Sequence, residues 1–243
     1  MRVALIGDVH ANLPALEAVL AHASERGSTA IWNVGDIVGY GAFPDEVVGL
    51  LRERDALSIV GNFDLKVLQF KKKKEKWEKK KPRPLYIAFE WTYDNLSKKN
   101  RKYLRFLSQE LRLKVKGQRI LLTHGSPASN EEKITDETPQ ERLLKLAKIA
   151  GADVILCGHS HRPVVREADD ARFVNPGSVG RPDDGDPRAS YALLEIKAGQ
   201  VAVRHYRLEY DVERAAAAIR ERGLPEIFAQ MILQGQSLEA LLG

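Results

Sequence analysis

Six short polar clusters carry the residues that could do chemistry. They are Asp8-Val9-His10, Gly35-Asp36, Gly61-Asn62-Phe63-Asp64, His124-Gly125, Gly158-His159-Ser160-His161 and Asn175-Pro176-Gly177-Ser178. Asp, His and Asn supply oxygen and imidazole donors with no thiolate, a set suited to hard-to-borderline divalent metals. Each cluster alone has a plainer reading. A lone His is more often a hydrogen-bonded structural residue than a ligand. Asp8 or Asp36 alone could cap a helix at a strand-to-helix turn. Taken together, the clusters read as one dinuclear metal site.

What must position them is a set of strands. Five of the six clusters follow an apolar, β-branched run, at 3–6, 30–34, 57–60, 120–123 and 154–157. Carboxyl ends of neighbouring strands converge on one edge of a sheet, where α/β proteins bind ligands. Helices fall between the first strands, at 13–23 and 44–54, by the spacing of their apolar residues. The resulting β-α-β-α-β unit implies a parallel sheet. The middle third reads as helices at 64–80, 85–95 and 97–108, followed by a hairpin turning at Lys116-Gly117-Gln118 and a helix at 140–149. After a strand at 153–157, short runs at 163–167, 171–174, 189–196 and 200–206 read as antiparallel strands, and 211–221, 225–234 and 237–242 as helices. The expected division is a domain over 1–208, with a helical insertion at 64–108, and a helical tail over 209–243.

In their order, these motifs resemble the calcineurin-like metallophosphoesterases. Asp-x-His, Gly-Asp, Gly-Asn-x-Asp, His-Gly and Gly-His-x-His carry the resemblance, and Gly39-Tyr40-Gly41 and Asn175-Pro176-Gly177-Ser178-Val179-Gly180 extend it. It spans roughly residues 1–205 with a break at a lysine-rich stretch. The resemblance implies a four-layer αββα sandwich of two mixed sheets flanked by helices. It implies two divalent metals, with Asp8, His10 and His161 on the first, Asn62, His124 and His159 on the second, and Asp36 bridging. A hydroxide between the metals would attack phosphorus, because two cations depress the pKa of a shared water. Asp36, Asn62 and Asp64 are the residues so assigned to catalysis. Mn²⁺ is the expected metal, with Fe, Zn or Ni also compatible.

Phe63 departs from the family pattern, which has a proton-donating His there. Its loss removes a contribution of roughly two to four orders of magnitude, felt most with poor leaving groups. Phe63 is expected instead to form an apolar wall for an aromatic leaving group or base, and Asp64 to hold a neighbouring Arg or a backbone N–H. If position 63 faces the leaving group, Phe63→His beside Asp64 is expected to restore a His–carboxylate pair; the competing reading keeps Phe63 for packing or base stacking, with protonation supplied by metal-bound water. Asn12, Tyr40, Phe63 and Arg181 are the expected substrate contacts, with Ser126, Asn175 and Ser178 as further candidates. A salt bridge from Arg181 to Asp183, Asp184 or Asp186 is the competing reading. His22 and His205 lie outside the pattern and read as structural.

Composition bounds the rest. The chain has 243 residues, 44% of them hydrophobic, enough for a sizeable core. The single cysteine, Cys157, lies in a strand-like run and reads as a buried thiol. Neither a signal peptide nor a membrane span is legible, so a soluble, cytoplasmic protein with no membrane association is the default. Net charge is +5, yet residues 71–83 alone carry +7, so the remainder is slightly acidic. The lysine-rich segment 71–81 reads first as a solvated helix face peripheral to the chemistry, and second as a nucleic-acid or acidic-partner contact. Trp77, Tyr86, Phe89, Trp91 and Tyr93 read as packing rather than a base-stacking platform. Apolar residues in 224–242 suffice to cover another subunit, which leaves a homo-oligomer open without setting the oligomeric state.

The functional expectation is a dinuclear metal-dependent phosphodiesterase acting on a small-molecule or nucleotide phosphoester. Two alternatives stay open: a phosphomonoesterase of phosphoproteins or nucleotides, and a weakly catalytic metal-binding scaffold.

Overall fold

In the computed structural model, which describes residues 1–243, ten strands form two five-stranded sheets. The first sheet has the order β10-β9-β1-β2-β3. It comprises β1 (Arg2–Ile6), β2 (Ala30–Asn33), β3 (Leu57–Ser58), β9 (Ala189–Lys197) and β10 (Gln200–Leu208). The second has the order β4-β5-β6-β8-β7, from β4 (Glu110–Val115), β5 (Gln118–Thr123), β6 (Val154–Leu156), β7 (Pro163–Ala168) and β8 (Ala171–Pro176). Both are mixed: β1, β2 and β3 run parallel, as do β5, β6 and β8, while β9 pairs antiparallel with β1 and β10, β4 with β5, and β7 with β8.

The pleat explains the layering. Successive strand residues face opposite sides. Val3 and Leu5 therefore meet Ile120, Leu122, Val154 and Leu156 between the sheets. Ala4 and Ile6, pointing the other way, join the larger core under the helices. A strand buried on both faces reads as the unbroken run Val3-Ala4-Leu5-Ile6. Leu5 is fully buried, and truncating it to Ala would cost about 2–5 kcal/mol. The second sheet's outer face, with Leu121, Ile155, Cys157 and Phe173, is covered by α6 (Gln140–Ala150) through Leu143 and Leu146. The four αββα layers are thus as the sequence implied.

On the first sheet's outer side lie α1 (Leu13–Glu25), α2 (Pro44–Glu53), the insertion helices α3 (Asn62–Lys80), α4 (Arg83–Asn95) and α5 (Lys98–Phe106), and α7 (Val212–Glu221), α8 (Glu226–Gln234) and α9 (Leu238–Leu242). Three expectations change. The 57–60 run pairs only over Leu57–Ser58, because Ile59 and Val60 leave the ladder to carry the chain toward the polar clusters. β8 is not purely antiparallel; it pairs with β6 in parallel and β7 in antiparallel register. Finally, the apolar residues of 224–242 do not await another subunit. Leu224, Phe228, Met231, Ile232 and Leu238 are buried in the chain's own core, leaving Leu242 about half exposed at 52%. An amphipathic helix looks the same in sequence whichever surface it covers. No helix is long and apolar enough to cross a membrane.

Candidate metal centre

The clusters meet between the carboxyl edges of both sheets, not along one sheet as the strand pattern suggested. Asp8, His10, Asp36 and Asn62 come from the first sheet's strand ends; His124, His159 and His161 come from the second. Bonds across the gap fix the register. The His159 N–H donates to Asp8 Oδ2 at 3.0 Å, and His124 Nδ1 lies 2.8 Å from the Val34 carbonyl. The turns themselves are strained. Asp8, His10, Asp36, Tyr40, His159 and His161 all have φ between 48° and 66°. Such a conformation is uncommon for residues with a Cβ and clusters at functional sites. It is held by Asp8 N–H on the Gly35 carbonyl at 2.9 Å and His10 N–H on the Asp36 carbonyl at 3.0 Å.

Two donor groups result: Asp8, His10 and His161, and Asp36, His124 and His159, with the ligating atoms of each group within 4.8 Å of one another. Asn62 Oδ1 joins the second, 3.1 Å from His124 Nε2. Asp36 Oδ2 faces both groups, 3.8 Å from His10 Nε2 and 3.4 Å from His124 Nε2. His161 Nε2 lies 3.2 Å from His10 Nε2 and 3.3 Å from Asp8 Oδ1. The outer nitrogens of three histidines are engaged elsewhere: His124 Nδ1 by the Val34 carbonyl, His161 Nδ1 by the Arg181 carbonyl at 2.6 Å, His159 Nε2 by the Glu131 carbonyl at 3.0 Å. That leaves the inner nitrogens as lone-pair donors, as metal-binding histidines require. Acceptor lone pairs facing one another at these distances repel unless a cation lies among them. The donor set therefore fits a pair of divalent metals.

The electrostatics agree. Burial drives the pKa of His10 down to about 3 and that of His159 to about 4, so both are neutral at pH 7. Burial also acts on His124, but the Asp36 and Asp8 carboxylates outweigh it and raise its pKa to about 9. Asp36 feels burial too, yet His124, His10 and the Phe63 amide hold it well below the usual carboxylate range. Without metal, a proton on His124 does part of the work of a cation.

The expected substrate residues separate. Arg181 stays in place. Its guanidinium lies 4.8 Å above the Tyr40 ring, with Nη2 3.4 Å from His161 Nε2, and its Nε and Nη1 have no partner. The competing salt bridges are absent: Asp183 faces Arg162 at 4.0 Å, Asp184 pairs with Arg207 and Asp186 with Arg188. Tyr40 edges onto His10 at 5.4 Å between centroids. Asn12 is a correction. Its Oδ1 accepts the Ala15 amide that opens α1, and its Nδ2 donates to the Gly180 carbonyl and the Tyr210 hydroxyl, so nothing is left for substrate. Ser126 Oγ accepts the Ala128 and Ser129 amides of its own loop, Asn175 Nδ2 donates to the Gly158 carbonyl and the Ser160 hydroxyl, and Ser178 Oγ donates to the Asp8 carbonyl. His22 and His205 are structural, bonded to the Tyr191 hydroxyl and the Asn175 carbonyl.

Phe63 is 6% exposed, its ring packed on Tyr40 and Phe89 at centroid distances of 4.6 and 4.7 Å. Those contacts bury most of the ring, and what remains lines the same cavity as Asp36 and Asn62. Asp64 holds backbone N–H groups, as one of its two expected roles had it: Val38 at 2.9 Å, Gly61 at 3.0 Å and Ile37 at 3.2 Å. Burial and the nearby Asp36 push its carboxyl up to about 7. It positions the Asp36 loop against α3 and does not face the cavity.

That cavity, of about 210 Å³, opens over the two donor groups. Lys66, Lys81, Lys133 and Glu239 also line it, and none was expected there from sequence. Lys66 was findable, four residues after Asn62 on one helix face. Lys81 corrects the expectation that segment 71–81 is wholly peripheral. The rest of that segment is solvent-exposed except for the buried Trp77.

Comparison with known proteins follows the same lines. Residues 1–199 match the model of the calcineurin-like phosphoesterase superfamily domain. The uncharacterised protein MJ0912 of Methanocaldococcus jannaschii is 33% identical over 249 residues, covering 96% of this chain and 98% of that protein. The crystal structure of a metallophosphoesterase from Sphaerobacter thermophilus superposes with a TM-score of 0.80 at 32% identity, covering 97% of this chain and all of that one, 100%. The phosphodiesterase YfcE of Escherichia coli is 26% identical over 205 residues, 80% of this chain and 88% of that protein.

Proposed function

Because the chain belongs to the calcineurin-like phosphoesterase superfamily, we propose that it is a dinuclear metal-dependent phosphodiesterase. One observation carries the reading: the Asp36 carboxylate faces both donor groups, 3.8 Å from His10 and 3.4 Å from His124. Asp8, His10 and His161 would hold one metal and Asn62, His124 and His159 the other, with Asp36 placed to serve both. When bound, the pair, with Mn²⁺ preferred, supplies an activated water as nucleophile and screens the phosphoryl oxygens. The ionised Asp8 and Asp36 offset part of the metals' mutual repulsion, while Asn62 adds a neutral oxygen. Arg181, which lines the cavity over the donor groups, supplies a fixed cation for a phosphoryl oxygen. The Asp64 carboxylate pins the loop that carries Asp36.

Diester preference has two supports. YfcE is a named phosphodiesterase. Phe63 gives no proton to the leaving oxygen, so a departing group must be stable as an anion or find its proton elsewhere. The test is turnover of bis-4-nitrophenyl phosphate against 4-nitrophenyl phosphate by protein stripped with EDTA and reloaded with Mn²⁺. Diester turnover that EDTA abolishes and metal restores is the expected result. A clear excess of monoester turnover would replace the diesterase reading with a monoesterase, and no turnover of either from acid to alkaline pH would leave a metal-binding scaffold.

A further inference from the structure

Three lysines at the cavity's rim come from different parts of the chain. Lys66 is one turn beyond Asn62 on α3, Lys81 is the first residue past that helix, and Lys133 lies in the loop before α6. The fold brings them together deliberately placed. Lys66 Nζ pairs with Glu131 at 2.6 Å, and the Glu131 carbonyl lies 3.0 Å from His159 Nε2. The loop bearing Lys133 is thereby tied both to α3 and to a candidate metal ligand. Lys81 is half-buried, its N–H donating to the Trp77 carbonyl at 2.9 Å before Pro82 turns the chain.

Lys81 and Lys133 have no ion-pair partner within the structure, unlike Lys66. Apart from Asp36, the only carboxylates lining the cavity are Asp183 and Glu239, against four cations including Arg181. Two divalent metals on Asp8 and Asp36 would leave that floor positive as well. Like charges gathered beside such a centre repel one another and raise the local potential. A single phosphodiester, with one negative charge, is already matched by the metals and Arg181. The rim is therefore over-provided for a simple diester.

Resting on the diesterase reading above, we propose that the substrate is a small phosphodiester carrying a second phosphoryl group, which Lys66, Lys81 and Lys133 bind while the diester lies over the metal ligands. Ammonium groups suit this task as compact point charges on flexible stems. A long nucleic acid is the less favoured anion. Its track would have to continue along the exposed lysines of α3, yet Lys74 pairs with Glu90 at 2.9 Å and Lys71 and Lys73 lie over Tyr93 and Trp77. Lys81 alone of that segment turns into the cavity.

The experiment compares two esters on the Mn²⁺-loaded full chain: thymidine 5′-(4-nitrophenyl phosphate) and the same compound bearing a 3′-phosphate. The 3′-phosphate should raise kcat/KM by about ten- to a hundredfold, the range of one or two charge-assisted contacts. In Lys81→Ala/Lys133→Ala the ratio between the esters should fall toward one. Equal turnover of both esters by the wild type, or a ratio untouched in the double variant, overturns the proposal and leaves the diesterase reading standing. A kcat/KM that keeps rising with the length of an oligothymidylate ester overturns it in favour of a polyanion track. Failure to hydrolyse either ester or bis-4-nitrophenyl phosphate removes the diesterase reading and the proposal with it.

Discussion

Gly61→Ala should disconnect the metal centre while adding only one methyl group. A Cβ built on Gly61 lies 2.1 Å from Asp36 Oδ1, 2.8 Å from its Cγ and 2.2 Å from the Asp36 backbone nitrogen. Carbon and oxygen in van der Waals contact sit at least about 3.3 Å apart, so one or both must retreat by about 1 Å. The backbone nitrogen cannot swing aside, so the loops after β2 and β3 must part. Asp36 Oδ1 then loses the Phe63 amide, now at 2.7 Å, which sets the direction of Oδ2. Misplacement of a reacting group by about 1 Å costs about a hundredfold in rate, and losing a bond that orients a ligand costs about 10–100-fold in metal affinity. Overpacking adds about 1–3 kcal/mol of instability. Gly49→Ala is the control: in the middle of α2, its Cβ meets nothing within 4 Å, and helix propensity predicts about 1 kcal/mol of stabilisation. Metal titration by calorimetry, with Tm and near-ultraviolet circular dichroism to establish folding, separates the effects. A folded Gly61→Ala protein that binds two metals at wild-type affinity would refute the geometry assigned to Asp36.

Asp36→Asn should lose both metals together, whereas Asn62→Ala should weaken mainly the second; elemental analysis after gel filtration distinguishes them. Phe63→His should not rescue poor leaving groups, because Asp64 is committed to three amides. It should instead lose about 1–3 kcal/mol for a buried imidazole without a partner; rates across a series of aryl diesters and Tm measure both, and a flattened dependence on leaving-group pKa would contradict this. Metal-free protein should be most stable near neutrality. His10 and His159 have folded pKa values of about 3 and 4, below the unfolded 6.5, so the unfolded state binds more protons and stability falls as pH drops below about 6.5. His124, raised to about 9, contributes stability present below pH 6.5 and lost as pH rises through about 9. Metal should abolish that alkaline loss, read by Tm from pH 5 to 10 with and without Mn²⁺.

The donor residues were legible because a metal dictates ligand types, and a strand end is one of few places from which a short side chain can reach a shared point. The layering was legible because strands buried on both faces lose the alternating pattern. What remained hidden depended on partners distant in sequence. Asn12 looked like a substrate contact from its place beside His10, but Gly180 and Tyr210, nearly two hundred residues away, take its amide. Lys81 looked like one more solvated lysine until Pro82 and the start of α4 turned it inward. Nothing local marks Glu239 as a cavity residue, because α8 and α9 must first fold back over the first sheet.

Phe63 serves position. Tyr40, Phe63, Phe89 and Trp77 form a continuous aromatic line with centroid separations of 4.6, 4.7 and 4.9 Å. The line runs from the loop after Asp36, through the first turn of α3, to α4 and back to the far end of α3. Gly39 makes room for it: at φ 101° it bears no Cβ, and one placed there would lie 2.2 Å from Phe63 Cε1. Aromatic pairs contribute about 0.5–1.5 kcal/mol each beyond the area they bury. The insertion is thus held rigidly against the metal-bearing loops, and with it the ends of α3 that carry Lys66 and Lys81. The same packing that buries Phe63 therefore also sets where Lys66 and Lys81 stand at the cavity.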